Sequence, residues 1–405
     1  MQPLRILMLM NRVPWPLNDG GAIGAFNFVK GYAEAGCRVT VLAMNTTRHY
    51  VEPMTAHDAL DKYADVHLVD VDNRIKPLDA LRNLLTNKSY VIQRFVSQKY
   101  AMELQKLLAN SAHDVVYGGR DVVHVDGLPP AAYAHVYKAF DVTVSMRAHN
   151  VEHVIWERIA SQERNPLKRW YLGVQAHRLQ RFELDAIDGC DVVMAISNED
   201  QDTIRRLRPN ARTLVVPAGM DVPDVAVNTN FSATDLFSIG AFDWMPNLQG
   251  TEWFAKSVWP TIHARFPDIT ISVAGKRMPA SIEALATPSF RTVGEVADAK
   301  QFMLSHGIMV VPIISGSGIR IKILEGMALG KTIIATTIGA EGLGLTHSEN
   351  ILIADTPDEW VACIERCMSD TAFCRSIGVN AHRFAYEHYR NSNIFEKLIA
   401  YYRGH

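Results

Sequence analysis

Short, continuous apolar runs separated by segments with helical spacing constrain this chain more than any other feature. Strands that are apolar throughout belong to parallel sheets covered by helices on both faces. The pattern opens with a run from Leu4 to Met10, a glycine-bearing loop, a helical stretch from about Ala22 to Glu34, and a second run from Arg38 to Met44. That is a βαβ unit. Further strands are predicted at Val66 to Val69, Asp114 to Tyr117, Val142 to Met146 and Asp191 to Ile196. Periodicity then lapses between Pro217 and about Asp235, in a stretch with proline, glycine, asparagine and serine that reads as a linker. The pattern restarts with Leu236 to Ile239, a helix from about Asn247 to Arg265, and strands at Ile269 to Ala274, Phe290 to Val293 and Ile308 to Ile313. A helix from Arg320 to Leu329 and strands at Thr332 to Thr336 and Ile351 to Ile353 follow, and from about Asp358 only helices are predicted.

The expected fold is α/β, with two Rossmann-like doubly wound domains facing each other across a cleft at the carboxyl ends of their strands, where open α/β sheets bind ligands. The length of 405 residues suits two cores rather than one. A formal charge of −2 argues against a nucleic-acid partner and makes any anion site a local feature. Five scattered cysteines form no repeated CxxC pair, which points to a reducing compartment and to neither a disulfide framework nor a zinc site. Cys363 and Cys367 have the spacing of a packed helix face. The N-terminal apolar run reads as a buried strand rather than a signal peptide, and no stretch of eighteen apolar residues occurs. The expected location is the cytoplasm, with any membrane contact peripheral to the inner face.

The segment Pro312-Ile-Ile-Ser-Gly-Ser-Gly318 leaves a strand and meets the helix bearing Arg320, Lys322 and Glu325. Glycines at 316 and 318 let backbone N–H groups approach an anion at a helix N-terminus, and Arg320 and Lys322 add full charges there. Glu325 lies where its carboxylate reaches a vicinal diol such as a ribose. A nucleoside diphosphate would satisfy all three features. The plainer reading is a tight turn followed by a solvated face with an i, i+3 pair of Lys322 and Glu325.

The run from Gly318 through Gly330, followed by Ile338-Gly-Ala-Glu-Gly-Leu343, resembles the donor-site signature of glycosyltransferase family 4, the large retaining GT-B family. Ile239-Gly-Ala-Phe-Asp-Trp-Met-Pro-Asn-Leu-Gln-Gly-Thr-Glu-Trp-Phe254, which contains Gly240 and Asn247, resembles one branch of that family. The Gly20-Gly21 loop, Arg147-Ala-His-Asn-Val-Glu152 and Val216-Pro-Ala-Gly-Met-Asp221 fall at the family's places in order, so the resemblance covers nearly the whole chain. It implies an acceptor domain over 1–220, a donor domain over 221–385, and a final helix over 386–405 that crosses back onto the first domain. The donor would be a nucleotide-diphosphate sugar, and the acceptor a glycan or lipid-linked molecule in surface polysaccharide assembly. Gly240, Asn247, Gly316, Ser317, Gly318 and Glu325 are implied for donor binding, with Gly20 and Gly21 beside the phosphates and acceptor, and no resident cofactor.

Two departures stand out. Ser317 replaces the first glutamate of the family's Glu-x7-Glu motif, and the usual arginine and lysine early in the second domain would fall at Ala241 and Gln249. Arg320 and Lys322 are the expected substitutes. His149 follows a strand end, and the resemblance implies a place beside the reacting sugar, with Arg147 and Glu152 supporting it.

The Gly20-Gly-x-x-Gly24 run is no dinucleotide fingerprint, and the second strand ends without an acidic residue, so nicotinamide cofactors are disfavoured. Asp70-Val-Asp72 reads as an ordinary carboxylate pair rather than a metal site. The stretch from Arg82 to Tyr100 carries Arg82, Lys88, Arg94 and Lys99 without an acidic residue, interleaved with apolar side chains. It reads either as a solvated face over core residues or, with Arg164 to Tyr171, as a rest for anionic lipid. A sugar-nucleotide epimerase or hydrolase, or a silent binding subunit, are the alternative functions.

Overall fold

The computed structural model describes residues 3–18, 20–113, 121–217, 219–226, 232–316 and 319–404. The chain divides into two compact units, one comprising Met1–Gly219 with Ile394–His405 and the other Met220–Asn393.

The first unit is built on seven parallel strands: β1 (Arg5–Met10), β2 (Arg38–Thr46), β3 (Asp65–Val71), β4 (Asp121–Asp126), β5 (Thr143–Ala148), β6 (Val192–Ala195) and β7 (Thr213–Val215). Their order is β3-β2-β1-β4-β5-β6-β7. Alternation along β1 feeds both faces, with Ile6, Met8 and Met10 in one core beside Phe28 and Tyr32, and Leu9 in the other beside Tyr100 and Tyr133.

Two strands of this sheet differ from the expectation. The predicted strand at Asp114 to Tyr117 lies outside the described residues. β4 forms instead at Asp121–Asp126, where His124 and Asp126 interrupt the apolar pattern, and β7 adds an edge. Gly20 and Gly21, expected in a loop, are the first residues of the helix Gly20–Glu34.

The second unit repeats the design with β8 (Asp235–Ile239), β9 (Thr270–Ala274), β10 (Phe290–Gly294), β11 (Ile308–Val311), β12 (Ile333–Ala335) and β13 (Leu352–Ile353), ordered β10-β9-β8-β11-β12-β13. Leu236 and Phe237 point to opposite cores. The single helix expected from Asn247 to Arg265 is in fact broken into Met245–Trp253, a π-helical turn Phe254–Val258, and Trp259–Arg265. Pro260 supplies the reason: it has no N–H for the regular ladder, and its ring clashes with the preceding turn, so the helix widens there.

In both sheets the strand order reverses at one place, between β1 and β4 and between β8 and β11. The crevice at the carboxyl end of such a switch point is where doubly wound sheets take ligands. The last helix, Asn391–Gly404, returns Phe395, Leu398, Ile399 and Tyr402 to the core of the first unit. Its Tyr402 hydroxyl donates to Ser145 Oγ at 2.8 Å and meets the Tyr32 hydroxyl at 3.2 Å. Among the described residues, no helix is long and apolar enough to cross a membrane.

Candidate functional site

In the first unit the switch point is marked by Asp126, the last residue of β4 and 2% exposed. Arg147 Nη1 donates to its Oδ1 at 3.1 Å, and His149 Nε2 lies 3.0 Å from the same oxygen. Burial alone would raise this carboxyl, but His149 and Arg147 beside it, a hydrogen bond from His149, and His124 Nε2 at 3.6 Å hold it well below the usual range. An ionised carboxylate only accepts, so Nε2 of His149 donates to it. Arg147 is held from its other side by the Phe28 ring, 4.1 Å from the guanidinium carbon. Burial, opposed by Asp126, pushes the neighbouring His124 below its ordinary value, so it stays neutral against Tyr32, 3.0 Å from Nδ1.

The segment after β5 is fixed by a carboxylate at a helix N-terminus. Glu183, on the helix Pro166–Asp188, accepts from the backbone N–H of Glu152 at 2.8 Å and of His153 at 3.0 Å, and lies 2.6 Å from His153 Nδ1. These bonds satisfy free donors of the helix Glu152–Gln162 and set the turn that carries His149. Glu152 itself is pushed up by burial and by Glu183. His149, Asp126 and Gly21 line a cavity of about 740 Å³ that also receives Arg12, Arg48, Arg74 and Arg94. Gly20 stands exposed at the start of the helix.

In the second unit the switch point brings β8 and the turn after β11 together. Lys322 Nζ donates to the Ile239 carbonyl at 3.1 Å and to Asn247 Oδ1 at 2.7 Å. Asn247, 8% exposed, passes the contact on by donating from Nδ2 to the Ala241 carbonyl at 2.8 Å. Gly240 makes room: a Cβ there would lie 2.8 Å from Asn247 Nδ2 and 3.0 Å from Lys322 Nζ. Burial, then Arg320, push the Lys322 ammonium down to about 7 against the pull of Glu325. Burial raises Glu325, opposed by Lys322, so the two share one local field across a helical turn.

Arg320 precedes the helix Ile321–Ala328 and is 4% exposed. Its guanidinium carbon lies 5.2 Å from the Trp244 ring centroid, and Nη2 donates to the Ile338 carbonyl at 3.4 Å. Burial pushes its pKa down, against Glu341. Gly316 takes a φ of 91°, which favours glycine, and packs against Pro246 and Trp244. Ser315 Oγ donates to Gln249 Oε1 at 2.8 Å, tying this turn to the helix where the family's lysine was expected. Ser317 and Gly318 lie outside the described residues.

The predicted residues therefore gather into two clusters: His149 with Gly21 in the first unit, and Gly240, Asn247, Arg320, Lys322 and Glu325 in the second. Asp126 was missed. Its signal was the run Val122-Val-His-Val-Asp126, in which two polar residues alternate with valines as a strand would place them on one face. Asp72, of the carboxylate pair, is engaged by Arg74 at 2.8 Å and Lys76 at 3.1 Å. Among the described residues no group of three or more His, Cys, Asp or Glu side chains is arranged to hold a metal ion.

Residues 18–223 match the family model described as Glycosyltransferase Family 4, and residues 233–370 match that of Glycosyl transferases group 1. The chain belongs to glycosyltransferase family 4. Its fold is the GT-B type of that family, shared across 99% of this chain and 98% of the chain of sucrose-phosphate synthase from Thermosynechococcus elongatus, at 16% identity and a TM-score of 0.63. HepE from Anabaena, solved with UDP, is similar at 14% identity and a TM-score of 0.65, covering 99% of this chain and 100% of its own. An uncharacterized 44.6 kDa protein in the cps region of Klebsiella pneumoniae is 22% identical over 265 residues, 63% of this chain and 67% of its own length. In this family 4 glycosyltransferase the two family models together reach from residue 18 to residue 370.

Proposed function

We propose that this glycosyltransferase is a retaining, metal-independent enzyme that moves a sugar from a nucleotide-diphosphate sugar to a glycan or lipid-linked acceptor in surface polysaccharide or glycoconjugate assembly. The observation that carries the reading is Lys322, a buried cation placed over Gly240 and Asn247 at the switch point, with Arg320 beside it and Glu325 one turn on. A diphosphate would bring the charge that this ammonium lacks, and Glu325 would hold the ribose diol. HepE is recorded with UDP and with UDP-glucose, and a TarM variant from S. aureus with UDP, fondaparinux and α-GlcNAc-glycerol, which supports a nucleotide-sugar donor and a glycan acceptor here. The cps-region relative supports the polysaccharide role.

In the proposed reaction the bond between the sugar's anomeric carbon and the diphosphate breaks, and the acceptor hydroxyl oxygen bonds to that carbon from the same face. The hydroxyl proton passes to the departing diphosphate. Arg320 and Lys322 stabilise the leaving charge, and His149, fixed by Asp126, holds a sugar hydroxyl or the developing charge. The nucleotide sugar is a co-substrate, and no resident cofactor takes part.

Peripheral contact with an anionic bilayer belongs to the same proposal. Leu78, Leu81 and Leu85 stand 70%, 64% and 91% exposed beside Arg82 and Lys88, and Leu167 and Trp170 are exposed beside Lys168 and Arg169. Sedimentation with anionic liposomes at low salt should capture the protein, and failure to sediment would remove the membrane from the reading.

The donor assignment is tested by thermal shift against uridine, guanosine, thymidine and adenosine sugars. A specific ligand at a hundred times its dissociation constant stabilises by about 2.7 kcal/mol. One base should raise Tm, and Glu325→Ala and Lys322→Ala should each abolish that rise. No response to any of the four would overturn the reading.

A further inference from the structure

The cavity of the first unit has a lining that the transfer reaction alone does not explain. Four arginines, Arg12, Arg48, Arg74 and Arg94, reach it together with His49 and His149, and the one carboxylate among the lining residues is Asp126. That carboxylate is already engaged by Arg147 and His149. The arginines come from four separate places in the chain, after β1, after β2, after β3 and at the end of the helix Tyr90–Gln93, so the fold has gathered them rather than the sequence having strung them together. The chain as a whole carries a formal charge of −2, so the concentration of positive charge is local.

Three of the four, Arg94, Arg74 and Arg48, are held in different ways. Arg94 is half-buried, with Nη1 donating to the Asn73 carbonyl at 3.0 Å and its guanidinium carbon 5.7 Å from the Phe95 ring centroid. Burial pushes its pKa down, and the groups that oppose this are the tyrosines 90 and 171, not a carboxylate. Arg74 pairs with Asp72 through both Nε, at 2.8 Å, and Nη2, at 3.0 Å, and Lys76 binds the same carboxylate, so two cations share one carboxylate at that rim. Arg48 is exposed at the mouth, in the turn Thr47–His49. Guanidinium groups recognise phosphate and carboxylate through paired N–H donors, and a recessed site focuses their field.

We propose that the acceptor of this enzyme carries an oxyanion, a phosphate or a carboxylate, and that Arg48, Arg74 and Arg94 hold it in this cavity. The inference rests on the reading of the chain as a glycosyltransferase with its acceptor on the first unit. It narrows the acceptor from any glycan or lipid-linked molecule to an acidic one. The oxyanion has two chemical sources, a diphosphate that links a glycan to its carrier and an acidic sugar within the glycan.

The test uses the full-length protein, with and without saturating UDP, titrated by NMR with inorganic pyrophosphate, methyl glucuronide and methyl glucoside. UDP should fill the donor site, and an anionic probe should still bind, while the neutral glucoside should not. Pyrophosphate binding points to the linking diphosphate, and glucuronide binding to an acidic sugar. R48Q/R74Q, both at exposed positions, should weaken that probe's binding by about tenfold or more and leave UDP binding unchanged, as loss of charge-assisted contacts requires. The proposal is overturned if neither anion binds the UDP-saturated protein, or if binding persists unaltered in R48Q/R74Q. Where the thermal shift selects another base, its nucleoside diphosphate takes the place of UDP; if none of the four binds while the probes still depend on Arg48 and Arg74, the nucleotide reading fails and the anion site stands.

Discussion

His149 Nε2 sits 3.0 Å from Asp126 Oδ1, a contact between the loop after β5 and the last residue of β4 that fixes which nitrogen of the imidazole bears the proton. Asp126→Asn removes that instruction while keeping the shape, because an amide can donate as well as accept. Transfer should fall by about 10- to 100-fold, the range for losing one strong hydrogen bond of about 1.5 to 3 kcal/mol in the transition state, with donor KM little changed. His149→Ala should fall as far, and D126N/H149A no further than the worse single variant, since the two act as one unit. Independent, additive losses in single-turnover measurements would contradict the coupling.

The ammonium of Lys322, pushed down to about 7, gives a pH dependence of defined sign. In the unfolded chain the lysine titrates near its ordinary 10.5, so between about 7 and 10.5 the unfolded state binds more protons and stability rises with pH. Below about pH 7 both states are protonated, and the full cost of burying the charge is present. Lys322→Met should therefore be more stable than the parent at pH 6, with the gap closing toward pH 10, as urea melts at several pH values would register. Donor binding should show the opposite benefit. At pH 8 the nucleoside diphosphate must draw a proton onto Lys322, so calorimetry in buffers of different ionisation enthalpy should report uptake approaching one proton, and none in Lys322→Met.

Gly240→Ala should separate binding from folding. Its Cβ would press on Asn247 Nδ2 at 2.8 Å and Lys322 Nζ at 3.0 Å, and the lysine end can swing away at modest cost. The expected result is a small change in Tm with a loss of UDP affinity of about tenfold, matching one displaced charge-assisted hydrogen bond. Unchanged affinity would mean that the Lys322–Asn247 contact does not shape the donor site.

The doubly wound pattern was legible because most strands are continuous apolar runs, and Arg320, Lys322 and Glu325 were legible because they sit close in sequence on one turn and helix. The partners of these groups were not. Nothing near Lys322 in the sequence indicates that its ammonium reaches Ile239 and Asn247, since that contact exists only after β8 and β11 pair. β4 escaped for a related reason. His124 and Asp126 look like surface residues until Tyr32, Arg147 and His149 arrive from two other segments to offset their burial. Pairs that close over long sequence separations leave little local trace, and the buried polar residues of this site are of that kind.

Gly31 and Phe395 lock the returning helix to the first unit. A Cβ on Gly31 would lie 2.0 Å from Phe395 Cε2, while the same ring meets Phe28 edge-on at 5.2 Å and Tyr32 at 4.9 Å between centroids. Replacing Gly31 with alanine gains helix propensity, about 1 kcal/mol in an open position, so a net loss would have to come from the clash. Gly31→Ala should destabilise the protein by about 1 to 3 kcal/mol through overpacking, and Phe395→Ala by about 3 to 5 kcal/mol through the cavity it leaves. The two effects should not add. With the ring gone the methyl introduced by Gly31→Ala fills part of the space, so G31A/F395A should be no less stable than F395A alone. The coupling in the mutant cycle should be stabilising by about 1 kcal/mol or more, on the order of that between residues in direct contact. Because the helix that Phe395 anchors also carries Tyr402 to Ser145 and Tyr32, loosening it should raise amide exchange along the helix Gly20–Glu34 that begins at the cavity. Simple additivity with unaltered exchange would show that the ring packs there without locking the helix.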